Sequence, residues 1–346
     1  MGWWQVNADT LARSRFVLSP LAETFASLKL LHAGAGAHPG EHAWLRAHLP
    51  GHRARLAADP VTALLVRAGL GSWETPRAGG SGRGGWIADF LTPTPREGES
   101  FEEGVARVRA ADPAAARAHL RTSLAGPLPA ALERDDLPER AAALLEHVWE
   151  TGVRPYWERR RRVLEADVVA RTALVSRGGW AAVLDSLRPG TRWLGESRFQ
   201  VNVHEYPPRE ASGAELLFVP VTPETGWVAW EGRERYAVVY PCSGVLAGDR
   251  EERARAVPAA LGTLLGPGRA AVLVLLAAPL STTQLVALTG QGLGSVGRHL
   301  RVLLDAGLVE RRRAGRSVLY SRTPAGRALT EAAGQGAEQG RRGAGG

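Results

Sequence analysis

Hydrophobic residues near the C-terminus repeat with the period of a helix. Four apolar residues fall at positions i, i+4, i+7 and i+8: Val296, Leu300, Leu303 and Leu304. At this spacing they share one face of a helix, and polar residues occupy the other face. The pattern predicts an amphipathic helix that ends at Gly307, because glycine readily adopts the left-handed conformation found just after a helix.

A basic hairpin is predicted after this helix. Residues 308–310 and 317–320 have the pattern of two paired strands, and Gly315 supplies the positive φ that the tight turn between them requires. Arginines are concentrated here: Arg311, Arg312, Arg313, Arg316 and Arg322. Guanidinium groups bind phosphate in a bidentate manner, and an arginine at a hairpin tip can enter a DNA minor groove.

A shorter helix is predicted before the amphipathic one. Ser281 is suited to cap it, since a serine hydroxyl can accept an otherwise unpaired backbone N–H, and Leu285 and Leu288 give it a buried side. A short helix, a turn, an amphipathic helix and a basic hairpin form, in this order, the pattern of a winged helix-turn-helix. That fold lays its second helix in the major groove of double-stranded DNA.

The same stretch resembles the recognition helix and wing of the ArsR family of bacterial winged-helix repressors. The family pattern comprises His-Leu-x-x-Leu, then Ala-Gly-Leu-Val, a basic wing and an aromatic residue. Here these positions are His299-Leu300, Leu303, residues 306–309, residues 311–316 and Tyr320. The resemblance extends from Leu261 to Leu329. It implies a DNA-binding transcriptional repressor that forms a homodimer through helices around residues 252–276 and 324–333.

We expect DNA contacts from both helices and from the wing. The candidate residues are Thr282, Thr283, Gly294, Ser295, Arg298, His299, Arg301, Arg312, Arg313, Arg316 and Tyr320. Ser295, Arg298 and Arg301 would face the major groove, and Gly294 would let the backbone approach a phosphate. His299 has two interpretations, a donor to phosphate or a packing residue.

Metal sensing at the family's usual sites is not expected. Metal-sensing members carry a Cys-x-Cys or an Asp/His cluster, whereas Cys242 is this chain's single cysteine, and residues 273–280 and 328–333 contain no Cys or His. His38 and His42 have the spacing of a helical metal pair. Pro39 and Gly40 lie between them, so surface histidines are the preferred interpretation. No cofactor is expected.

Positive charge is concentrated in the C-terminal part. Residues 248–346 contain 14 basic and 7 acidic residues, which leaves 29 and 28 for residues 1–247. Basic charge confined to one module is typical of nucleic-acid binding. The alternative is arginine-biased coding, since Lys29 is the one lysine, but such a bias would raise arginine along the whole chain without balancing acid.

These patterns predict a mostly helical α+β protein in three parts. An N-terminal effector or oligomerisation domain spans residues 1–247 and includes a small antiparallel sheet over residues 191–240. Residues 248–333 form the winged helix-turn-helix, and residues 334–346 a disordered tail. A mobile loop is predicted for the glycine-rich residues 71–85. The N-terminal domain resembles the long N-terminal region of a group of actinobacterial ArsR-family regulators, whose function is unassigned.

The role of the N-terminal domain stays open. Trp180, Trp193, Trp227 and Trp230 line an aromatic pocket or pack a core. One alternative is a ligand-binding or enzymatic domain whose small-molecule effector controls DNA binding, and another is a protein-interaction module. No G-x-S-x-G, Walker or H-E-x-x-H motif occurs, so an enzyme is not expected. No apolar run reaches the ~18 residues of a membrane span. We expect a cytoplasmic protein without a membrane partner.

Overall fold

The structure is a computed structural model, and it describes residues 2–37, 39–70, 86–203, 206–242, 258–277, 279–289, 291–314 and 317–343. The predictions for His38, the loop 71–85, Gly315 and Arg316 lie outside these residues.

The chain divides into two compact units. The N-terminal unit contains Met1–Glu158 and Gly178–Cys242, and the C-terminal unit contains Arg159–Arg177 and Ser243–Gly346. The boundary predicted between residues 247 and 248 lies in a segment outside the described residues and stays a prediction. The grouping of residues 159–177 with the C-terminal unit could not be foreseen, because sequence periodicity shows a helix but not its neighbours.

Helices make up a large part of the N-terminal unit. They are α1 (Ala8–Arg13), α2 (Pro20–Ala33), α3 (Pro39–Ala58), α4 (Pro60–Gly69), α5 (Phe101–Arg109), α6 (Pro113–Leu124), α7 (Leu137–Val148) and the two ends of α8 (Trp157–Leu184). Side-chain caps fix several starting points. Ser19 accepts a hydrogen bond from the backbone N–H of Ala22 at 3.1 Å, and Pro20 occupies the first turn of α2.

Eight strands of the N-terminal unit form two four-stranded sheets. The strands are β1 (Trp3–Gln5), β2 (Arg15–Phe16), β3 (Arg192–Gly195), β4 (Arg198–Gln200), β5 (Arg209–Glu210), β6 (Glu215–Val221), β7 (Trp227–Glu231) and β8 (Arg235–Pro241). Within the described residues their orders are β3-β4-β1-β5 and β2-β6-β8-β7.

The antiparallel pairing predicted over residues 191–240 is correct for β3 with β4 and for β7 with β8, and wrong for β6. β6 and β8 run parallel with Leu217 opposite Ala237, and β2 runs parallel to β6. The sequences of β6 and β8 contain a pattern that favours parallel pairing. In β6 and β8 every residue after the first is buried, and an unbroken buried run is typical of a central parallel strand rather than a half-exposed antiparallel one.

The core of the N-terminal unit lies between the β2-β6-β8-β7 sheet and the helices. Val219 and Val239 of the sheet belong to the same buried cluster as Phe25 of α2 and Leu145 of α7. Trp227 of β7 also belongs to it, which places one end of β7 in the core.

The C-terminal unit has the winged helix-turn-helix order. It contains the middle of α8, then α9 (Ala259–Leu265), α10 (Pro267–Leu275), β9 (Leu280–Ser281), α11 (Thr282–Thr289), α12 (Leu293–Asp305), β10 (Val309–Ala314), β11 (Ser317–Arg322) and α13 (Pro324–Gly343). Its three strands are ordered β10-β11-β9. The predicted fold class, α+β with a C-terminal winged helix-turn-helix, is confirmed.

Helix α13 extends further than the sequence suggested. It continues to Gly343, into the segment 334–346 for which a disordered tail was predicted. Alanine, glutamate, glutamine and arginine stand between the glycines of this segment, and all four favour a helix. None of the described helices is long and apolar enough to cross a membrane.

Candidate nucleic-acid interface

The packing of α12 determines which of its side chains are free. Val296, Leu300 and Leu303 are fully buried, as the helical period predicts. Leu304 is half-buried. The residue after the helix end, Gly307, has a φ of 66°, which is the left-handed conformation predicted there.

The opposite face of α12 is exposed to solvent. Gly294, Arg298 and Arg301 lie on it, at the three- and four-residue intervals that align side chains along a helix. Neither arginine forms an ion pair with any described residue. A Cβ built on Gly297 would meet no described atom within 4 Å. This face therefore offers two unpaired guanidinium groups beside backbone that a DNA strand can approach closely.

Ser295 and His299 contact each other within the domain. The Ser295 hydroxyl donates to Gln291 Oε1 at 3.1 Å and lies 3.3 Å from His299 Nε2. A Cβ added to Gly268 would lie 2.7 Å from the same imidazole nitrogen, so the ring packs directly against α10. Burial and then neighbouring arginine charges lower the pKa of His299. These contacts favour the packing interpretation of His299, and its DNA contact stays a prediction.

The wing presents consecutive arginines to solvent. β10 and β11 pair antiparallel, with Arg311 opposite Tyr320. Arg311, Arg312 and Arg313 are exposed, and none of them is ion-paired within the described part of the chain. Tyr320 is half-buried. Arg316 lies outside the described residues.

The start of α11 is tied to the wing. Ser281, predicted as a helix cap, lies in β9 and pairs with Leu319 of β11. Thr282 follows as the first residue of α11 and is half-buried. The backbone of Thr283 is helical, and its side chain lies outside the described residues.

Arg322 differs from the other arginines of the basic cluster. Its Nε donates to the carbonyl of Leu273 at 2.7 Å, its Nη2 donates to the carbonyl of Val274, and its Nη1 donates to Thr330 Oγ1 at 3.0 Å. The two carbonyls belong to the last turn of α10, where a helix leaves its acceptors unpaired and favours a cation. Burial lowers the pKa of Arg322. Arg322 belongs to the basic cluster of the sequence but not to the candidate DNA-binding residues, and its contacts fasten β11 to α10 and α13.

A comparison with known families agrees with this geometry. Residues 266–311 match the family model described as "Bacterial regulatory protein, arsR family". They form an ArsR-family helix-turn-helix domain. The match runs from the start of α10 to the first arginine of the wing, so it includes the whole exposed face of α12. No curated protein and no solved structure matches the chain.

The ArsR-family domain establishes the class of the protein. It is a DNA-binding transcription regulator, and its partner is double-stranded DNA. The N-terminal unit lies outside the matched residues.

Two histidines of the N-terminal unit, His42 and His48, have local contacts. His42 Nε2 lies 2.9 Å from the carbonyl of Gly36, and the His48 ring packs 4.8 Å from Trp44. His52 is buried, which lowers its pKa to about 4, together with the charges of neighbouring histidines. Among the described residues, no three His, Cys, Asp or Glu side chains lie together as potential metal ligands.

The four tryptophans singled out from the sequence divide between two roles. Trp227 and Trp230 line a cavity in the N-terminal unit. Trp180 stacks on Phe218 at 5.3 Å, and Trp193 belongs to β3, away from the cavity lining. Sequence reasoning missed the other residues that line the cavity, because they come from segments far apart in the chain.

Proposed function

We propose that the protein represses transcription as a homodimer, with two ArsR-family domains bound to the half-sites of a two-fold operator. The observation that carries this proposal is the set of exposed arginines on α12 and β10 without acidic partners among the described residues. Guanidinium groups left unneutralised by the protein are available to phosphates and base edges. Such a regulator works in the cytoplasm, beside the chromosome, and carries out no catalysis.

The two groups of arginines take different parts in DNA binding. Arg298 and Arg301 read the major groove, since α12 is the second helix of the helix-turn-helix. Arg312, Arg313 and Arg316 hold flanking phosphates or the adjacent minor groove. The first group thus provides sequence discrimination, and the second provides affinity for any duplex.

An exposed apolar residue supports dimerisation through α9. Leu264 is 66% exposed on this helix, and α9 packs against α13 within the same chain. A second copy covering Leu264 would bring two reading helices to half-sites about one helical turn, ~34 Å, apart.

Capture of genomic fragments by the full-length protein tests the proposal. The retained fragments should share a two-fold motif, and a reporter driven by such a fragment should rise when the protein is absent. Leu264→Glu should sediment as a monomer and bind the fragment more weakly. Fragments without a common motif would contradict sequence-specific reading, and a reporter that falls without the protein would contradict repression.

A small-molecule effector that controls DNA binding is the second part of the proposal. The cavity of the N-terminal unit supports it, because a pocket with aromatic walls and few polar groups is the usual form of a small-molecule site. A captured fragment should then be released or bound more tightly when the cavity is filled.

A further inference from the structure

One cavity of the N-terminal unit is built largely from tryptophan. It encloses about 400 Å³ between β1, β7 and the segments formed by residues 86–92, 201–203 and 206–209. Five tryptophans line it: Trp3, Trp4, Trp86, Trp227 and Trp230. We call it the tryptophan cavity. Its volume falls within the range of about 300–1,000 Å³ of small-molecule sites.

The aromatic walls are held in place by ring contacts. Trp86 meets Trp230 edge to face at a centroid distance of 5.3 Å and Tyr206 at 5.5 Å. On the core side, Trp4 packs against Tyr236 at 4.9 Å. Edge-to-face contacts of this kind fix the orientation of the rings. The walls are therefore ordered before any ligand enters.

Two arginines border the cavity, Arg188 and Arg209, and neither forms an ion pair with a carboxylate of the described residues. Arg188 Nη2 donates to the carbonyl of Val201, while its Nε is buried and has no acceptor among the described residues. Arg209 lies over the Trp230 ring, with its guanidinium carbon 3.8 Å from the centroid. By contrast, Arg107 of the same unit pairs with Glu99 at 2.9 Å.

A buried guanidinium group without a carboxylate partner favours an anionic ligand. The donor of Arg188 left for such a ligand is Nη1, which has no acceptor among the described residues. Arginine also matches a carboxylate with two parallel hydrogen bonds, a geometry that a water molecule cannot reproduce.

Two other ionisable groups lie near the cavity. Asp89 lines it, and burial raises the pKa of its carboxyl group, while the charges of His119 and Arg209 act in the opposite direction. Lys29 lies behind Trp227, with its Nζ 5.2 Å from that ring, and burial followed by the charge of Arg188 lowers its pKa to about 7.

The mouth of the cavity is apolar. Val203 is 63% exposed at its edge, and Pro207 and Pro208 beside it are exposed as well. A ligand with a flat apolar body would cover these residues, whereas a sugar or a polyphosphate would leave them in contact with polar groups. The lining thus combines aromatic faces, one open apolar edge and a guanidinium group at depth.

We propose that the tryptophan cavity binds a small aromatic carboxylate, with the carboxylate on Arg188 and the ring against Trp86 and Trp230. The inference specifies the effector part of the proposed function. Binding to the cavity is measured without DNA, so its failure is distinguishable from failure of DNA recognition.

Calorimetry with a pair of probes on the full chain tests the inference. 2-Naphthoate carries the carboxylate, and 2-naphthamide has the same ring without the charge. We expect the carboxylate to bind about tenfold more tightly than the amide, because a charge-assisted hydrogen bond to a buried arginine exceeds a neutral one.

Substitutions test which residues cause the preference for the carboxylate probe over the amide. Arg188→Gln should remove the preference and leave amide binding within about twofold. Arg209→Gln should reduce the preference several-fold, and it decides the question if Arg188→Gln does not fold. Trp86→Ala should weaken both probes alike. Arg192→Gln, an exposed arginine of β3 outside the lining, is the matched control and should change neither.

Three outcomes would overturn the inference. The first is equal binding of carboxylate and amide to the unaltered protein. The second is a preference that survives in both folded arginine variants. The third is the absence of binding of either probe at millimolar concentration.

Discussion

Arginine serves opposite purposes in the two units. In the N-terminal unit Arg107 pairs with Glu99, and Arg235 pairs with both Glu215 and Glu231. In the ArsR-family domain the arginines of α12 and β10 are exposed and have no acidic partner among the described residues. The same residue type thus holds one unit together and gives the other its charged surface.

Each unit also contains an exception. Arg322 of the C-terminal unit donates to helix carbonyls, and Arg188 of the N-terminal unit borders a cavity and forms no ion pair with a described carboxylate. Local partners therefore decide the role of an arginine, and membership of a basic cluster does not. Substitutions can separate the two roles. Replacing an arginine that is paired within the protein should lower the free energy of unfolding, whereas replacing an exposed, unpaired one should lower the affinity for DNA.

The largest expected effect is on stability in the N-terminal unit. Arg107→Met keeps the apolar stem but leaves Glu99, whose side chain is 7% exposed, without its cation. We expect a loss of about 2–3 kcal/mol in the free energy of unfolding, measured by urea denaturation, with DNA affinity unchanged. A variant as stable as the parent protein would show that this pair contributes little.

The next effect falls inside the C-terminal unit. Arg322→Leu removes the donors to Leu273 and Val274, which should destabilise the unit by about 2 kcal/mol. Hydrogen exchange of α10 is the measurement, and faster exchange there is the expected result. If hydrogen exchange of α10 stays unchanged while DNA affinity falls, Arg322 would be a DNA-binding arginine rather than a structural one.

Substitution on α12 should affect discrimination rather than stability. Arg298→Ala is expected to lower operator affinity by about 1–2 kcal/mol and to affect random duplex less, if the side chain contacts a base edge. Fluorescence anisotropy with both duplexes gives the ratio. Equal losses on the two duplexes would move Arg298 to a phosphate contact.

The last effect depends on pH and concerns the single lysine. Burial and the charge of Arg188 lower the pKa of Lys29 to about 7, so between that pH and about pH 10 the unfolded chain holds a proton that the folded chain has released. Stability should therefore rise with pH in this window, by at most ~1.4 kcal/mol per pH unit. Urea denaturation at several pH values measures the slope, and Lys29→Met should remove it.

Isotopic labelling gives an independent measurement of the pKa of Lys29. Lys29 is the one lysine of the chain, so 13Cε-lysine labelling yields a single NMR signal. Its titration midpoint should lie near pH 7. A midpoint near the ordinary lysine value of about 10 would contradict a buried location.

The features that local sequence encodes were predictable. The buried face of α12 and the left-handed Gly307 each depend on residues within a few positions of one another. The family resemblance added the reading helix and the wing. Residues 266–311 confirm it.

Features that depend on distant partners were not predictable. The parallel pairing of β6 with β8 and the entry of β1 into a sheet with β4 join segments far apart in the chain. The same holds for Arg322, whose carbonyl acceptors lie 49 and 48 residues earlier in the sequence. Periodicity shows which face is apolar, but it contains no information about which polar atom a guanidinium group will find.

The salt dependence of DNA binding tests the central claim most directly. The slope of log affinity against log salt concentration reports the number of phosphates neutralised, at ~0.9 per contact. Arg312→Ala with Arg313→Ala should reduce the slope by ~1.8. The matched control removes two exposed arginines of the N-terminal unit, Arg192→Ala with Arg233→Ala, and should leave the slope unchanged. An unchanged slope in the first variant, or an equal reduction in both, would contradict the assignment of DNA binding to the arginines of the wing.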